Sequence, residues 1–168
     1  MKKTKVDQAI NSQLFSADSK QVLQALNLLK EQGNAEYLPI LFDLLLAGCE
    51  PEVEQEIVKL LGTIKDKNSI PFFVDALKNE KYVPIRKKIT TVCWQNGLDF
   101  SEHIETFTDL VITENWETAF EAFTVIENFE HFPAPDVMKP LKLKIAAALK
   151  LAQEQKAYLL EELLKLST

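Results

Sequence analysis

The same six apolar positions recur in three successive stretches of this chain, first at an offset of 32 residues and then at an offset of 34. Self-similarity at a fixed period of roughly 20–50 residues is typical of arrays built from one repeated unit. Apolar residues within each stretch follow helical spacing, which predicts a unit made of two helices. Because one such hairpin cannot bury its apolar side alone, neighbouring hairpins must stack. The positions are Leu38, Ile70 and Ile104; Leu41, Phe73 and Phe107; Leu45, Leu77 and Val111; Val53, Ile85 and Ala119; Ile57, Ile89 and Phe123; and Leu60, Val92 and Ile126.

Turn and capping signals divide the chain into helices at regular intervals. Gly33 and Gly48 follow helical patterns and predict helix ends, whereas Pro51 and Pro84 suit the first turn of a helix. The chain has only 4 glycines in 168 residues, which disfavours a β-sandwich and a glycine-loop nucleotide site. We therefore predict an all-α fold, an α-solenoid of stacked antiparallel helix hairpins.

The predicted boundaries place the whole chain, 1–168, in one domain. An N-terminal helix over about 19–32 precedes repeats over about 34–64, 67–96 and 100–130. The stretch over about 136–166 is predicted to cap the array, either as one long helix or as two helices parted near 153–155. It holds more leucines than one helix face needs, so we also expect a weak homodimer through the C-terminal helices.

The residues at the helix starts and ends of these units resemble those of HEAT repeats. HEAT repeats typically carry a proline early in the first helix, a Val-Arg or similar pair early in the second, and a Leu-Gly at its end. The matching residues are Pro39 and Pro71, then Ile85-Arg86, then Leu61-Gly62, whereas the third unit has Glu105 and Ala119-Phe120 at the first two places. The resemblance covers roughly residues 19–130. It implies a HEAT-like superhelix whose second helices line a concave binding face.

The charge balance bears on partners and location. The formal net charge is -6 and the isoelectric point is about 5.0, so the chain lacks the positive field that supplies most affinity for nucleic acid. The lysines near the start are followed by a segment, 9–13, that is too polar for the core of a secretion signal. No apolar run approaches the roughly 18 residues that a membrane span needs. We expect a cytoplasmic protein with neither a nucleic-acid nor a membrane partner.

The residue types that carry most enzyme chemistry are scarce. Two cysteines, Cys49 and Cys93, and two histidines make neither a disulfide framework nor a zinc cluster. Cys93 falls at an apolar position of its helix, where a thiolate would be poorly solvated. We therefore predict no catalytic residue, no cofactor and no metal.

Two enzymatic precedents follow from the resemblance. A HEAT-like iron hydroxylase would need His-Glu pairs on its helices, but His103 and His131 both occur in the reverse order, Glu-His. A HEAT-like DNA glycosylase would need a basic groove with aromatic platforms. Trp94 and Trp116 could stack on a base, although packing explains Trp94 as well. The local basic cluster is short and consists of Lys78, Lys81, Arg86, Lys87 and Lys88.

The acidity of the chain belongs to one segment. Residues 89–138 contain ten acidic residues and no lysine or arginine. Glu114, Glu117 and Glu121 share one face at the start of a second helix, at spacings of three and four residues. This row is either an ordinary solvated helix face or a docking surface for a basic partner, and we take these three residues as the candidate partner-binding site.

Two functions from different classes are therefore open. The favoured one is a non-catalytic scaffold or adaptor that binds a protein or peptide on its concave face. The acidic segment favours a basic partner. The alternative is an enzyme of the HEAT-like DNA glycosylase type that acts on nucleic acid. Nucleic-acid binding measured at two salt concentrations separates them.

Overall fold

The structure is a computed structural model that describes residues 6–166, so residues 1–5 and 167–168 of the expected 1–168 domain lie outside it. Within that range the chain is helical and contains no strand, which confirms the all-α prediction. The C-terminal stretch forms two helices rather than one long helix. The helices are α1 (Gln8–Leu14), α2 (Ser19–Gln32), α3 (Leu38–Ala47), α4 (Pro51–Gly62), α5 (Ile70–Lys78), α6 (Arg86–Gln95), α7 (Ile104–Thr113), α8 (Trp116–Glu127), α9 (Pro135–Leu149) and α10 (Glu154–Leu166).

Helices α3, α5 and α7 are each preceded by the same short motif. Asn34, Asp66 and Asp99 each accept a hydrogen bond through the side chain from the backbone N–H two residues later, at 2.9–3.0 Å. A single 3₁₀ turn follows each of these side chains and leads into the α-helix. Asparagine and aspartate favour such turns because their short side chains satisfy backbone donors that the following helix cannot. The motif marks where each of these three helices begins.

The helices contact one another in an alternating order. Along one layer α2 packs on α4, α4 on α6, α6 on α8 and α8 on α10. Along the other layer α3 packs on α5, α5 on α7 and α7 on α9. The two layers also touch, above all where α7 meets α8. Each helix therefore packs mainly on helices one or two places away in the chain.

The core runs continuously between the two layers. Of the six recurring apolar positions, every residue is buried except Leu60 and Ile70, which are half-buried. Four phenylalanine rings contact one another in turn along this core, edge to face. The distances between ring centroids are 5.7 Å from Phe42 to Phe73, 6.1 Å from Phe73 to Phe100 and 5.4 Å from Phe100 to Phe107. Such pairs stabilise beyond their area burial. This core holds α6 and α8 side by side and thereby positions the candidate site.

Candidate functional site

The three glutamates of the predicted row all lie at the junction of α6 and α8, and each has a partner on α6. Arg86 Nη1 lies 2.6 Å from Glu114 Oε1, and Lys87 Nζ lies 3.1 Å from Glu117 Oε2. The indole Nε1 of Trp94 donates to Glu121 Oε2 at 2.5 Å. The row therefore joins two neighbouring helices.

The three glutamates are all paired, and they differ in how far water reaches them. The side chain of Glu117 is 68% exposed, but that of Glu114 is only 19% exposed and its partner Arg86 only 10%. Glu121 is half-buried beside Trp94. The basic start of α6 and the acidic start of α8 attract each other, which explains the pairing. Whether the row binds a partner stays a prediction.

Glu114 has a structural environment. It ends α7, and Lys156 of α10 donates hydrogen bonds to its carbonyl oxygen and to that of Val111, the latter at 2.8 Å. Burial lowers the pKa of Lys156, and the nearby Glu114 carboxylate opposes that shift. The carboxylate of Glu114 pairs with Arg86 on α6, and its backbone carbonyl accepts from Lys156 on α10. Glu114 therefore connects α6, α7 and α10.

Exposed aromatic side chains lie beside the other two glutamates. Phe120 is 46% exposed, three residues after Glu117, and its ring centroid lies 5.7 Å from that of Trp116. Trp94 is 37% exposed although its indole nitrogen is engaged. We call these five residues, Trp94, Trp116, Glu117, Phe120 and Glu121, the α6–α8 surface. It brings carboxylates and aromatic rings together on one surface, and these are the two groups that attract a lysine or arginine side chain.

The basic cluster that a nucleic-acid groove would use is largely neutralised. Besides Arg86 and Lys87, Lys88 pairs with Glu54 of α4, and Lys81 Nζ lies 2.8 Å from Asp43 Oδ1. Four of the five cluster residues thus face a carboxylate. Counterion release needs lysines and arginines that are free to meet phosphates.

A groove between α4 and α6 continues the surface toward the start of the chain. Its volume is about 610 Å³, and its lining includes Val58, Gly62, Lys88 and Gln95. A Cβ atom on Gly62 would lie 3.0 Å from the Gln95 amide oxygen, so the small residue lets Gln95 lie close against α4. The groove is open and of mixed polarity.

The cysteine considered for catalysis is buried beneath this surface. Cys93 is fully buried, and burial raises the pKa of its thiol well above the ordinary value. No group of three or more His, Cys, Asp or Glu side chains in the described residues is arranged to hold a metal ion. Across residues 6–166, no helix has both the length and the apolar character that crossing a bilayer requires.

Sequence reasoning missed two contributors to the site. Lys156 comes from a stretch assigned only to capping, and nothing local marks it as a partner of α7. The Trp94 contact with Glu121 was also missed, because Trp94 was interpreted as packing. The available signal was charge order: a basic stretch at the start of α6 and an acidic stretch at the start of α8, one repeat later.

Comparison of the chain with protein-family models, with curated proteins and with solved structures gives no match.

Proposed function

We propose that this chain is a non-catalytic interaction module, a HEAT-like α-solenoid that binds a basic protein or peptide segment on the α6–α8 surface. The observation that carries the proposal is the presence of exposed aromatic rings beside carboxylates on two adjacent helices. An arginine or lysine side chain on this surface meets both groups at once.

The alternation of helix contacts supports the solenoid. Stacked hairpins bring each helix against the equivalent helix of the next hairpin, as α4, α6 and α8 are arranged. The even-numbered helices also contact one another more extensively than the odd-numbered helices do. In a curved two-layer stack, the inner layer is the more closely spaced one. We infer that α4, α6, α8 and α10 form the concave face.

The existing ion pair at Glu117 does not obstruct a cationic ligand. Its partner Lys87 is itself 50% exposed, and exposed ion pairs contribute only about 0–1 kcal/mol. An arginine of the ligand can donate two parallel hydrogen bonds to the Glu117 carboxylate and contact the Phe120 ring. It therefore displaces Lys87 from Glu117 at a small cost in free energy. By contrast, the shielded Glu114 pair is not available for exchange, so the proposed ligand contacts are Glu117 and Glu121.

A titration with an arginine-rich peptide tests the proposal. We expect saturable binding by calorimetry that weakens as salt is added, because the contacts are charged. The double variant Glu117→Gln with Glu121→Gln loses most of this binding, and Phe120→Ala weakens it. Glu31→Gln, an exposed glutamate on α2, is the matched control and keeps full affinity. Equal binding by all variants would refute the α6–α8 surface as the site.

The alternative, a HEAT-like glycosylase acting on nucleic acid, draws its support from the exposed indole of Trp94 and from Trp116. The formal net charge of -6 weighs against it, and so does the shielded pairing of Arg86 with Glu114. Sub-micromolar binding of single-stranded or duplex DNA that falls steeply between two salt concentrations would favour this alternative over peptide binding.

A further inference from the structure

A second groove lies at the opposite end of the molecule from α1, between α9 and α10. Its volume is about 560 Å³, and its lining includes Phe132, Met138, Leu143 and Ala146. Leu143 is 67% exposed and adds apolar surface to the groove. The groove is separate from the α6–α8 surface and shares no residue with it.

The groove lies on a side of α9 that the described helices leave open. Helix α9 packs on α7 along one side and on α10, and its remaining side faces solvent. Within residues 6–166 this leaves apolar side chains along the groove accessible.

The charged residues that line the groove are all basic. Lys139 and Lys142 lie on its wall, no acidic residue does, and neither lysine forms an ion pair within residues 6–166. By comparison, Lys144 on the same helix is paired with Asp109 of α7. Two unpaired lysines beside apolar side chains favour a partner that brings carboxylates and apolar residues together.

The same charges argue against a second copy of this chain as the occupant. A symmetric pair presents the same patch from both copies. Both copies would then bring Lys139 and Lys142 into one interface to whose groove no acidic residue contributes, and this excess of positive charge opposes association.

We propose that the α9–α10 groove binds an acidic amphipathic helix. Apolar side chains spaced three and four residues apart enter between Phe132, Met138 and Leu143. Glutamates that flank this apolar stripe contact Lys139 and Lys142. This is the helix-in-groove mode of binding. Apolar side chains of the bound helix give affinity, and the charged residues at the edge of the groove select the charge and the orientation of the partner.

The experiment uses the full chain and a helical probe peptide of about 16 residues, with leucines along one face and glutamates beside them. A matched peptide carries lysines in place of the glutamates. We expect the acidic probe to bind, and the basic probe to bind at least about tenfold more weakly. Leu143→Ser, and separately Lys139→Glu with Lys142→Glu, weaken binding of the acidic probe by about tenfold or more.

Leu28→Ser on α2, another partly exposed leucine, is the control and leaves this binding unchanged. Leu143 is largely exposed, so its serine variant keeps the helical circular dichroism signal of the parent. The proposal is overturned if the acidic probe does not bind, or if both groove variants bind it as the parent does. It is also overturned if Leu143→Ser abolishes a concentration-dependent dimer, or abolishes binding to phosphatidylglycerol vesicles, without affecting the probe. Because the glutamine variants of the α6–α8 surface keep this binding, failure here is distinguishable from failure of the proposed function.

Discussion

Burial divides two glutamates that the sequence presents as equivalent. Glu114 and Glu117 are three residues apart and both pair with the start of α6, but only the first pair is shielded from water. Shielding strengthens an ion pair and raises the cost of losing one partner. The two residues therefore have different roles.

We predict that Glu114→Gln lowers the free energy of unfolding by about 1–3 kcal/mol, because Arg86 is left as a buried charge without a counter-charge. Glu117→Gln changes it by less than about 0.5 kcal/mol, as expected for an exposed pair. Urea denaturation of both variants measures the difference. Equal losses would mean that burial does not distinguish the two pairs.

Asp43, on α3, is a second acidic residue with partners elsewhere in the chain, and it contacts two residues that lie between α5 and α6. The Tyr82 hydroxyl donates to its Oδ1 at 2.6 Å, and Lys81 Nζ lies 2.8 Å from the same oxygen. Burial raises the pKa of Asp43, but the hydrogen bonds from Lys81 and Tyr82 outweigh that effect, so its pKa lies below the ordinary value. An acid with a lowered folded-state pKa stabilises the fold above its unfolded-state pKa.

We predict that Asp43→Asn is less stable than the parent by about 1 kcal/mol at neutral pH. This difference narrows as pH falls below about 4, the unfolded-state pKa of aspartate, because the carboxylate of the parent then becomes protonated. Denaturation curves at several pH values measure the narrowing. A difference that is the same at pH 3 and pH 7 would contradict the charged role of Asp43.

At the residue scale, the sequence predicts which positions are buried better than it predicts which charges pair. The apolar periodicity identifies Ile57, Ile89 and Phe107 as core positions, and all three are buried. Glu121 and Trp94 are 27 residues apart in the chain, and their contact depends on how α6 packs against α8. Charge spacing along one helix carries no information about that packing.

Lys156 shows how one element stabilises the end of another. Its ammonium group on α10 donates to carbonyl oxygens in the last turn of α7, where the helix has acceptors without intrahelical partners. A cation at a helix C-terminus is also favoured by the helix dipole. This contact joins α10 to the end of α7.

We predict that Lys156→Met lowers the free energy of unfolding by about 1–2 kcal/mol, because the apolar stem is kept but the carbonyl groups lose their donor. Lys20→Met, at an exposed position in the first turn of α2, leaves stability unchanged or slightly raised. Thermal or urea unfolding compares the two. A loss of the same size in both variants would contradict the capping role.

At the element scale, helices with strong apolar periodicity could be predicted and α1 could not. Only Ile10 and Leu14 are buried in α1, and its other residues are polar except Ala9. This helix depends on tertiary contacts and capping: the Asp7 side chain accepts from Ala9 and Ile10, and the Asp7 N–H donates to the Tyr37 hydroxyl at 2.7 Å. A pattern with two apolar residues is too short to distinguish a helix from a polar tail.

On the scale of the whole molecule, the recurring apolar positions predicted the all-helical fold because nearly all of them are buried side chains that face neighbouring helices; only Leu60 and Ile70 are half-buried. The edge-to-face ring contacts from Phe42 through Phe73 and Phe100 to Phe107 run along the same continuous core. The concave face and its ligand depend on curvature and on pairing across helices. Offsets along the sequence do not encode those properties, so they enter our account as proposals.

The two tryptophans of the chain offer a direct test of the central claim, that the α6–α8 surface binds a basic segment. In a proton–nitrogen correlation spectrum each indole N–H gives its own resonance, and that of Trp94 is hydrogen-bonded to Glu121. We predict that titration with the arginine-rich peptide shifts the Trp94 indole resonance and the backbone amides of Glu117 and Phe120, and that added salt reverses the shifts. Binding that leaves these resonances unmoved, or shifts only residues elsewhere in the molecule, would contradict the account.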